Sequence, residues 1–468
     1  MLYKQKLISE VCGMFIEMKN KDFIYKIFLF FILLQPLLDL LTGLSLRLTE
    51  TQLSISLIVR ALFLLLAGVY LFFVKGHPGQ KKYMLYFTLF AVFLLINIGI
   101  NYFEKPLFYI ASEIKFIFKT IYFVFMLFLY WTIFRAVKEK GMNGALKLFA
   151  LAVTIYGVIF FIAGITNTAF QSYTYQKLGH VGWFYASNEI GVILAMGLPI
   201  VLFMALKVSN FYWISVFLVV YSLFSIGTKV GYLSIIFTLF LALVFVIKDY
   251  LSGKRRNNKD FSVYKIMVLL LFFAGSVLYT PFAPIAQNMD IHLSILETKK
   301  FEDIGKKEKE EESKQKKEDK ELDSEEISEL VYSGRTGFLE MYKEFYDKAP
   351  LSQKIFGMGY GGNFTKKPKL IEMDFHDIFY SFGIIGFLIY IFPLVYFIYK
   401  VIREFLNRFS NFLRYENMLI LTPCLLGLAI AFMAGHVLTA PSVSYFLAIL
   451  ISLILVIYDG SKLNIHGE

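Results

Sequence analysis

Seven charged side chains lie inside hydrophobic stretches of this chain: Asp39, Arg60, Glu113, Lys115, Lys119, Glu189 and Lys229. A charge in a bilayer core costs at least about 2.5–3.5 kcal/mol on insertion scales, so intramembrane ionisable groups are candidates for function. If they converge, they form a polar pocket suited to an anionic or polar substrate. Two further residues belong to a different environment. Arg335 falls in the first turn of a helix that Ser333 can cap, with Phe338, Leu339, Met341, Tyr342, Phe345 and Tyr346 along its apolar side. A helix N-terminus and a guanidinium fork together suit a diphosphate; the competing reading is an ordinary exposed arginine. His376 stands at the start of an apolar run, flanked by Asp374 and Asp377. Histidine is the commonest general base because its ordinary pKa is near neutral, and either aspartate is close enough in sequence to orient or charge it.

These residues need a membrane scaffold. Of 468 residues 57% are hydrophobic, and the mean hydropathy is +0.61. Runs of spanning length (about 17–25 residues) recur along the chain, predicting an all-α integral membrane protein. Roughly twelve transmembrane helices are expected, at 23–45, 53–74, 83–100, 107–134, 145–166, 183–206, 211–227, 229–248, 263–282, 376–399, 417–438 and 442–458. Only Gly227-Thr228-Lys229 is available to turn the chain between the seventh and eighth.

Lys and Arg concentrate in alternate loops. One side holds Lys75, Lys81 and Lys82, then Arg135, Lys138 and Lys140, then Lys400, Arg403, Arg408 and Arg414. The positive-inside rule therefore places both termini in the cytoplasm. Segment 1–22 is an N-terminal cytoplasmic stretch, 23–282 carries spans one to nine, 376–458 carries the last three, and 459–468 is a cytoplasmic tail. The net charge of +11 is mostly this signature and an attraction for anionic membrane lipid; no nucleic-acid partner is implied. The first run is an uncleaved anchor rather than a signal peptide. Cys12 and Cys424 are placed too differently to pair, and neither a metal site nor a cofactor is expected.

One large external loop, 283–375, is expected. Its 299–329 portion is a Lys/Glu run with almost nothing apolar to bury, either a solvated helix or a disordered spacer. Its 330–375 portion carries the amphipathic helix. It also carries Gly357-Met358-Gly359-Tyr360-Gly361-Gly362, which satisfies G-x-G-x-x-G literally. The nucleotide reading fails for want of a strand–turn–helix context. A tight turn without side chains beside a bulky substrate is expected instead, with a plain flexible loop as the alternative.

Four segments, in order, resemble the O-antigen ligase and polysaccharide polymerase (Wzy-like) superfamily of bacterial membrane glycosyltransferases. They are Phe184-Tyr185-Ala186-Ser187-Asn188-Glu189; Ser225 to Leu233, similar to T-x-S-R-x-A/G-x-L; Ser333-Gly334-Arg335 with Gly357 to Gly361; and His376-Asp377-Ile378-Phe379 with Gly383 to Gly386. Lys229 stands where that family usually has Arg, keeping the charge without the fork. Asp377 stands where Asn is common, adding a negative charge beside His376. The resemblance implies a metal-independent, inverting sugar transfer on the outer face of the bacterial cytoplasmic membrane, from an undecaprenyl-diphosphate-linked oligosaccharide. It assigns Arg335 and Lys229 to the diphosphate, with Arg60 as a third cation, and His376 as base or acceptor-positioning group. Asp39, Glu113, Glu189, Asn188, Gly357, Gly359 and Asp377 complete the expected substrate site. Asp39 and Arg60 equally suit a buried ion pair between adjacent spans. A polymerase for capsule or exopolysaccharide, working beside other polysaccharide-assembly proteins, is the leading reading. A ligase moving a finished glycan to a wall, lipid or protein acceptor is the second. A lipid-glycan transporter is the third; it would favour internal repeats and charges in both membrane halves, and the sequence has neither.

Overall fold

The computed structural model describes residues 21–48, 54–74, 79–173, 177–255, 263–291, 293–294 and 335–460. Ser333, Cys12 and the charged 299–329 run lie outside the described residues. The fold is all-α. The principal helices are α1 (Lys21–Leu48), α2 (Ile55–Phe73), α3 (Gln80–Glu104), α4 (Ile110–Ile165), α5 (Ser187–Lys207), α6 (Tyr212–Ile226), α7 (Lys229–Arg255) and α8 (Val263–Tyr279). They continue with α9 (Arg335–Lys348), α10 (Leu351–Phe356), α11 (Asp374–Asn407), α12 (Tyr415–Met433) and α13 (Pro441–Tyr458).

Among the described residues eleven segments are long and apolar enough to cross a membrane, and Tyr212–Ile226 is a shorter apolar helix. Two of the eleven, Ile110–Val137 and Gly141–Ile165, belong to α4. The sequence predicts a turn between them, whereas helical hydrogen bonding runs through. The chain nonetheless folds back there. Tyr130 and Phe149 touch neighbouring rings of α13, Tyr445 and Phe446, at 5.6 and 5.0 Å between centroids. A straight helix would hold those two residues roughly 28 Å apart, at ~1.5 Å of rise each. The bundle is built around α5 and α13, whose apolar windows are 94% and 89% buried, while α8 at 11% sits on its rim.

The turn between α6 and α7 is as short as the sequence suggested. Gly227 ends α6 at φ 72°, the left-handed conformation that glycine adopts without a Cβ penalty. Thr228 then caps α7, its Oγ1 accepting from the Gly231 amide at 3.1 Å. Asn288 clamps this turn to the preceding loop, donating to the carbonyls of Gly227 (2.9 Å) and Leu178 (2.7 Å).

The break in α11 matters most for the site. Gly383 has φ 64° and ψ −169°, so the helix is interrupted about two and a half turns past its buried start. Carbonyls that lose their helical partners there must find others. The glycine loop supplies them: Met358 N–H donates to the Tyr380 carbonyl at 2.8 Å and Gly359 N–H to that of Ser381 at 3.0 Å. Asn97, buried on α3, donates to both Phe356 and Ser381 carbonyls, and Asn101, one turn on, to that of Gly357.

Candidate functional site

Helix α9 forms as predicted, with Tyr342 buried and Phe338, Leu339, Phe345 and Tyr346 packed around it; Met341 departs from the expected face and is 37% exposed. This small core includes Met358, Ile371, Met373 and Tyr380, so the α9 segment and the glycine loop are docked on the start of α11.

A cavity of about 520 Å³ opens at one end of the bundle. Asp39, Arg60, Lys115, Lys119, Glu189 and Ser442 give it polar walls, and Tyr185 lies at its lining. The N-termini of α2, α5 and α13 reach it, each a positive end of a helix dipole, and α4 contributes Lys115 and Lys119 from beyond its first turn. Gly43 lets the segment before α5 close on α1, since a Cβ there would collide with the Trp183 carbonyl oxygen.

Of the residues singled out from sequence, Asp39, Arg60 and Glu189 meet here. Asp39 and Arg60 form a buried ion pair at 2.8 Å. Arg60 also donates to Gln35 Oε1 through Nε (3.0 Å) and a terminal nitrogen (2.8 Å), and Tyr156 donates to Asp39 at 2.5 Å. This is the ion-pair alternative, and it fastens α1, α2 and α4 at the cavity floor. Glu189 accepts from the Ser442 hydroxyl. Lys115 and Lys119, one turn apart on α4, line the cavity without an ion-pair or hydrogen-bond partner among the described residues.

Other expected members lie elsewhere. Glu113 faces away from Lys115, two residues on, as a step of about 100° per residue requires. Its carboxylate accepts from Lys105 Nζ at 2.5 Å and from the Tyr360 amide at 2.7 Å, so it holds the glycine loop. Burial pushes the Lys105 ammonium down, against the pull of Glu113. Gly357 and Gly359, expected beside substrate, are buried against protein. A Cβ on Gly357 would strike the Ser381 carbonyl, and one on Gly359 would lie 2.8 Å from a Glu113 oxygen. The sequence signal was close backbone approach, and the partner is α11. Asn188 is exposed beside Glu189 and is not part of the cavity lining. Lys229 starts α7 and is also outside that lining.

The acidic neighbours of His376 do not serve it. Asp377 accepts from the amides of Ile371, Glu372 and Met373 at 2.8, 3.0 and 3.2 Å, closing the chain onto its own helix N-terminus. Asp374 accepts from the amides of Val437 and Leu438 and from Thr439 Oγ1, fixing the α12–α13 loop. His376 itself lies against Phe432, 5.8 Å between ring centroids, with Nδ1 buried and unbonded among the described residues.

A second constellation, missed from sequence, occupies this corner. A terminal nitrogen of Arg335 lies 3.6 Å from Glu372 Oε2, and His436 Nε2 lies 3.7 Å from the same oxygen. These lengths mark ionic contacts rather than hydrogen bonds. Glu372 and His436 both hold positive φ, 66° and 60°. Such conformations in residues other than glycine cluster at functional sites. The adjacent His436 imidazole, with Arg335 and Lys369 nearby, holds the Glu372 carboxyl below its ordinary 4.5 despite burial. Burial pulls the His436 imidazole down, but Glu372, Asp374 and Glu189 outweigh it and hold the group above its ordinary 6.5. The mutual influence of His436 and Glu189 ties this corner to the cavity. His436 escaped notice because the eleventh expected span, 417–438, swallowed it; α12 ends at Met433. Its signal was Gly435-His436 just ahead of Pro441, a turn glycine and a titratable ring before a helix start.

The long apolar helices define a multi-pass membrane protein, with a polar cavity between them. The family model for O-antigen ligase like membrane proteins matches residues 21–459, and the chain belongs to that family. Membership supports a glycan-transfer function in general terms. No curated protein and no solved structure gives a match.

Proposed function

We propose that the chain is a membrane glycosyltransferase of the outer face of a bacterial cytoplasmic membrane. In this reading it transfers glycan from an undecaprenyl-diphosphate-linked donor to an acceptor sugar hydroxyl, extending a polysaccharide. The observation that carries the reading is the pair Lys115 and Lys119. Two like charges one helical turn apart repel each other, and a membrane setting raises the cost. A diphosphate between them and the α2, α5 and α13 termini relieves both penalties. Arg60, neutralised by Asp39, contributes the floor of that field rather than a free clamp.

The donor enters laterally from the lipid with its diphosphate in the cavity. The sugar then lies toward the corner made by Arg335, Glu372, His376 and His436. The acceptor oxygen attacks the anomeric carbon from the face opposite the leaving diphosphate, whose developing charge the lysines stabilise. His376 positions the acceptor. Arg335 anchors Glu372 at this corner. Ligation of a finished glycan to another acceptor uses the same donor chemistry and differs in what fills the acceptor side.

The test is a purified, reconstituted protein given a lipid-diphosphate oligosaccharide, with chain length read by gel. Lys115→Ala and Lys119→Ala should each weaken donor binding about 10-fold or more, the size of a lost charge-assisted contact. Arg335→Ala should nearly abolish transfer, and Arg335→Lys should restore only part of it because the fork is gone. Unchanged binding in the double lysine variant would remove the diphosphate from this cavity. One added glycan block per acceptor, instead of a ladder, would make the protein a ligase.

A further inference from the structure

We propose that His436 is the proton acceptor of the transfer, with Glu372 as the residue that positions it. This deepens the functional reading above and rests on it. The geometry has three parts. First, Glu372 faces the Nε2 edge of the imidazole at 3.7 Å, an ionic contact that favours the hydrogen on that nitrogen and leaves Nδ1 as the basic one. Nδ1 has no hydrogen-bond partner among the described residues, and the side chain is 31% exposed. A carboxylate behind one ring nitrogen and an open second nitrogen is the arrangement by which a histidine is held in one tautomer for base catalysis.

Second, the pair is rigidly mounted from separate parts of the chain. Asp374 grips Val437, Leu438 and Thr439 at 2.8, 2.7 and 2.6 Å. The three amides donated to Asp377 fix Ile371 to Met373. Gly435 sits so close to Glu372 that a Cβ on it would collide with the Glu372 carbonyl oxygen. The two left-handed residues are thereby locked face to face, which is how backbone strain persists in a folded chain. Third, His436 lies in the same short connection that leads into Ser442, a lining residue of the cavity, and Ser442 bonds Glu189 of α5.

The charged groups around His436 are Glu372 from the loop before α11, Asp374 from α11 and Glu189 from α5, with Arg335 of α9 behind Glu372. Their joint effect supports the geometry by keeping the imidazolium that forms stable. In the reaction the acceptor oxygen forms its bond to the anomeric carbon as the bond from that carbon to the diphosphate oxygen breaks. The electron pair leaves with the diphosphate, and the hydroxyl proton passes to Nδ1 of His436.

The experiment uses the full-length reconstituted protein and a lipid-diphosphate oligosaccharide. His436→Gly suits the backbone, since glycine adopts φ 60° freely. Turnover should fall about 100-fold or more, as for a lost general base, while donor binding stays near wild type. Added imidazole should restore part of the turnover. In Glu372→Gln the acidic limb of the kcat/KM profile should move to lower pH, because the carboxylate that raises the imidazole is gone. A His436→Gly protein within threefold of wild type overturns the proposal. So does a loss that imidazole does not rescue together with an unmoved profile in Glu372→Gln. Both outcomes leave the functional reading standing if the wild type binds and transfers the donor. A wild type that binds no lipid diphosphate removes that reading, and the proton acceptor with it.

Discussion

Carboxylates of this protein divide their work in ways that residue type alone does not show. Glu113, Asp374 and Asp377 hold backbone amides, Asp39 holds a guanidinium, and Glu372 faces an imidazole. The last pairing makes local stability depend on pH. His436 is raised in the folded chain, so its contribution is complete below its ordinary 6.5 and is lost as pH climbs through the folded value. Glu372 is lowered, so its contribution is complete above its ordinary 4.5 and is lost as pH falls through the folded value. The corner should be tightest between those two ordinary values. Hydrogen exchange at Val437 and Leu438 should be slowest in that window and accelerate above neutrality; a rate with no such pH dependence after correction for intrinsic exchange would refute the coupling. The sequence disclosed Asp39, Arg60 and Glu189 as a group, because charges in apolar runs are conspicuous. It did not disclose Glu372 with His436, because their meeting depends on two loops closing over α11. Nor did it rank Lys115 and Lys119 above Lys229, since only tertiary packing decides which cation finds a partner.

Among the elements, the glycine loop and α11 explain each other. The string Gly357 to Gly362 announces a backbone that must come close to something, and the something is a second backbone laid bare by the break at Gly383. Helix periodicity foresaw α9 and its apolar face, because amphipathicity is local. It could not foresee the break, since a lone glycine in an apolar helix pattern is ordinarily tolerated. Gly357→Val joins a strained φ of 96° to a collision with the Ser381 carbonyl. It should destabilise the detergent-solubilised protein by about 1–3 kcal/mol, seen as a lower Tm, and misplace Glu372 with it. A Tm equal to wild type would mean that the loop is not pinned to α11.

For the whole molecule, two basic residues that the sequence put on one side, Arg135 and Lys400, meet at one acidic partner. Arg135 and Lys400 share Asp459 at 2.7 and 2.5 Å, and Lys207 meets Glu416 at 2.6 Å. Leu46, Ser54 and Pro441 line the cavity beside the ends of α1, α2 and α13. The Lys/Glu run has too little apolar surface to form part of a packed core. Deleting 302–326 should leave membrane expression and polymer output within about twofold of wild type, a change below ~0.5 kcal/mol. Loss of either would show that the run docks on the catalytic corner.

The Asp39–Arg60 pair also governs biogenesis. The carboxylate is on α1 and its counterion on α2, with only a short connection between them. A nascent α1 released alone into lipid would carry an uncompensated acid, at a cost of about 2.5–3.5 kcal/mol on insertion scales. Release of α1 together with α2, as a neutral hairpin, avoids that cost. Tyr156, synthesised nearly a hundred residues after Arg60, then latches onto Asp39 and fastens the returning limb of α4 to a pair already assembled.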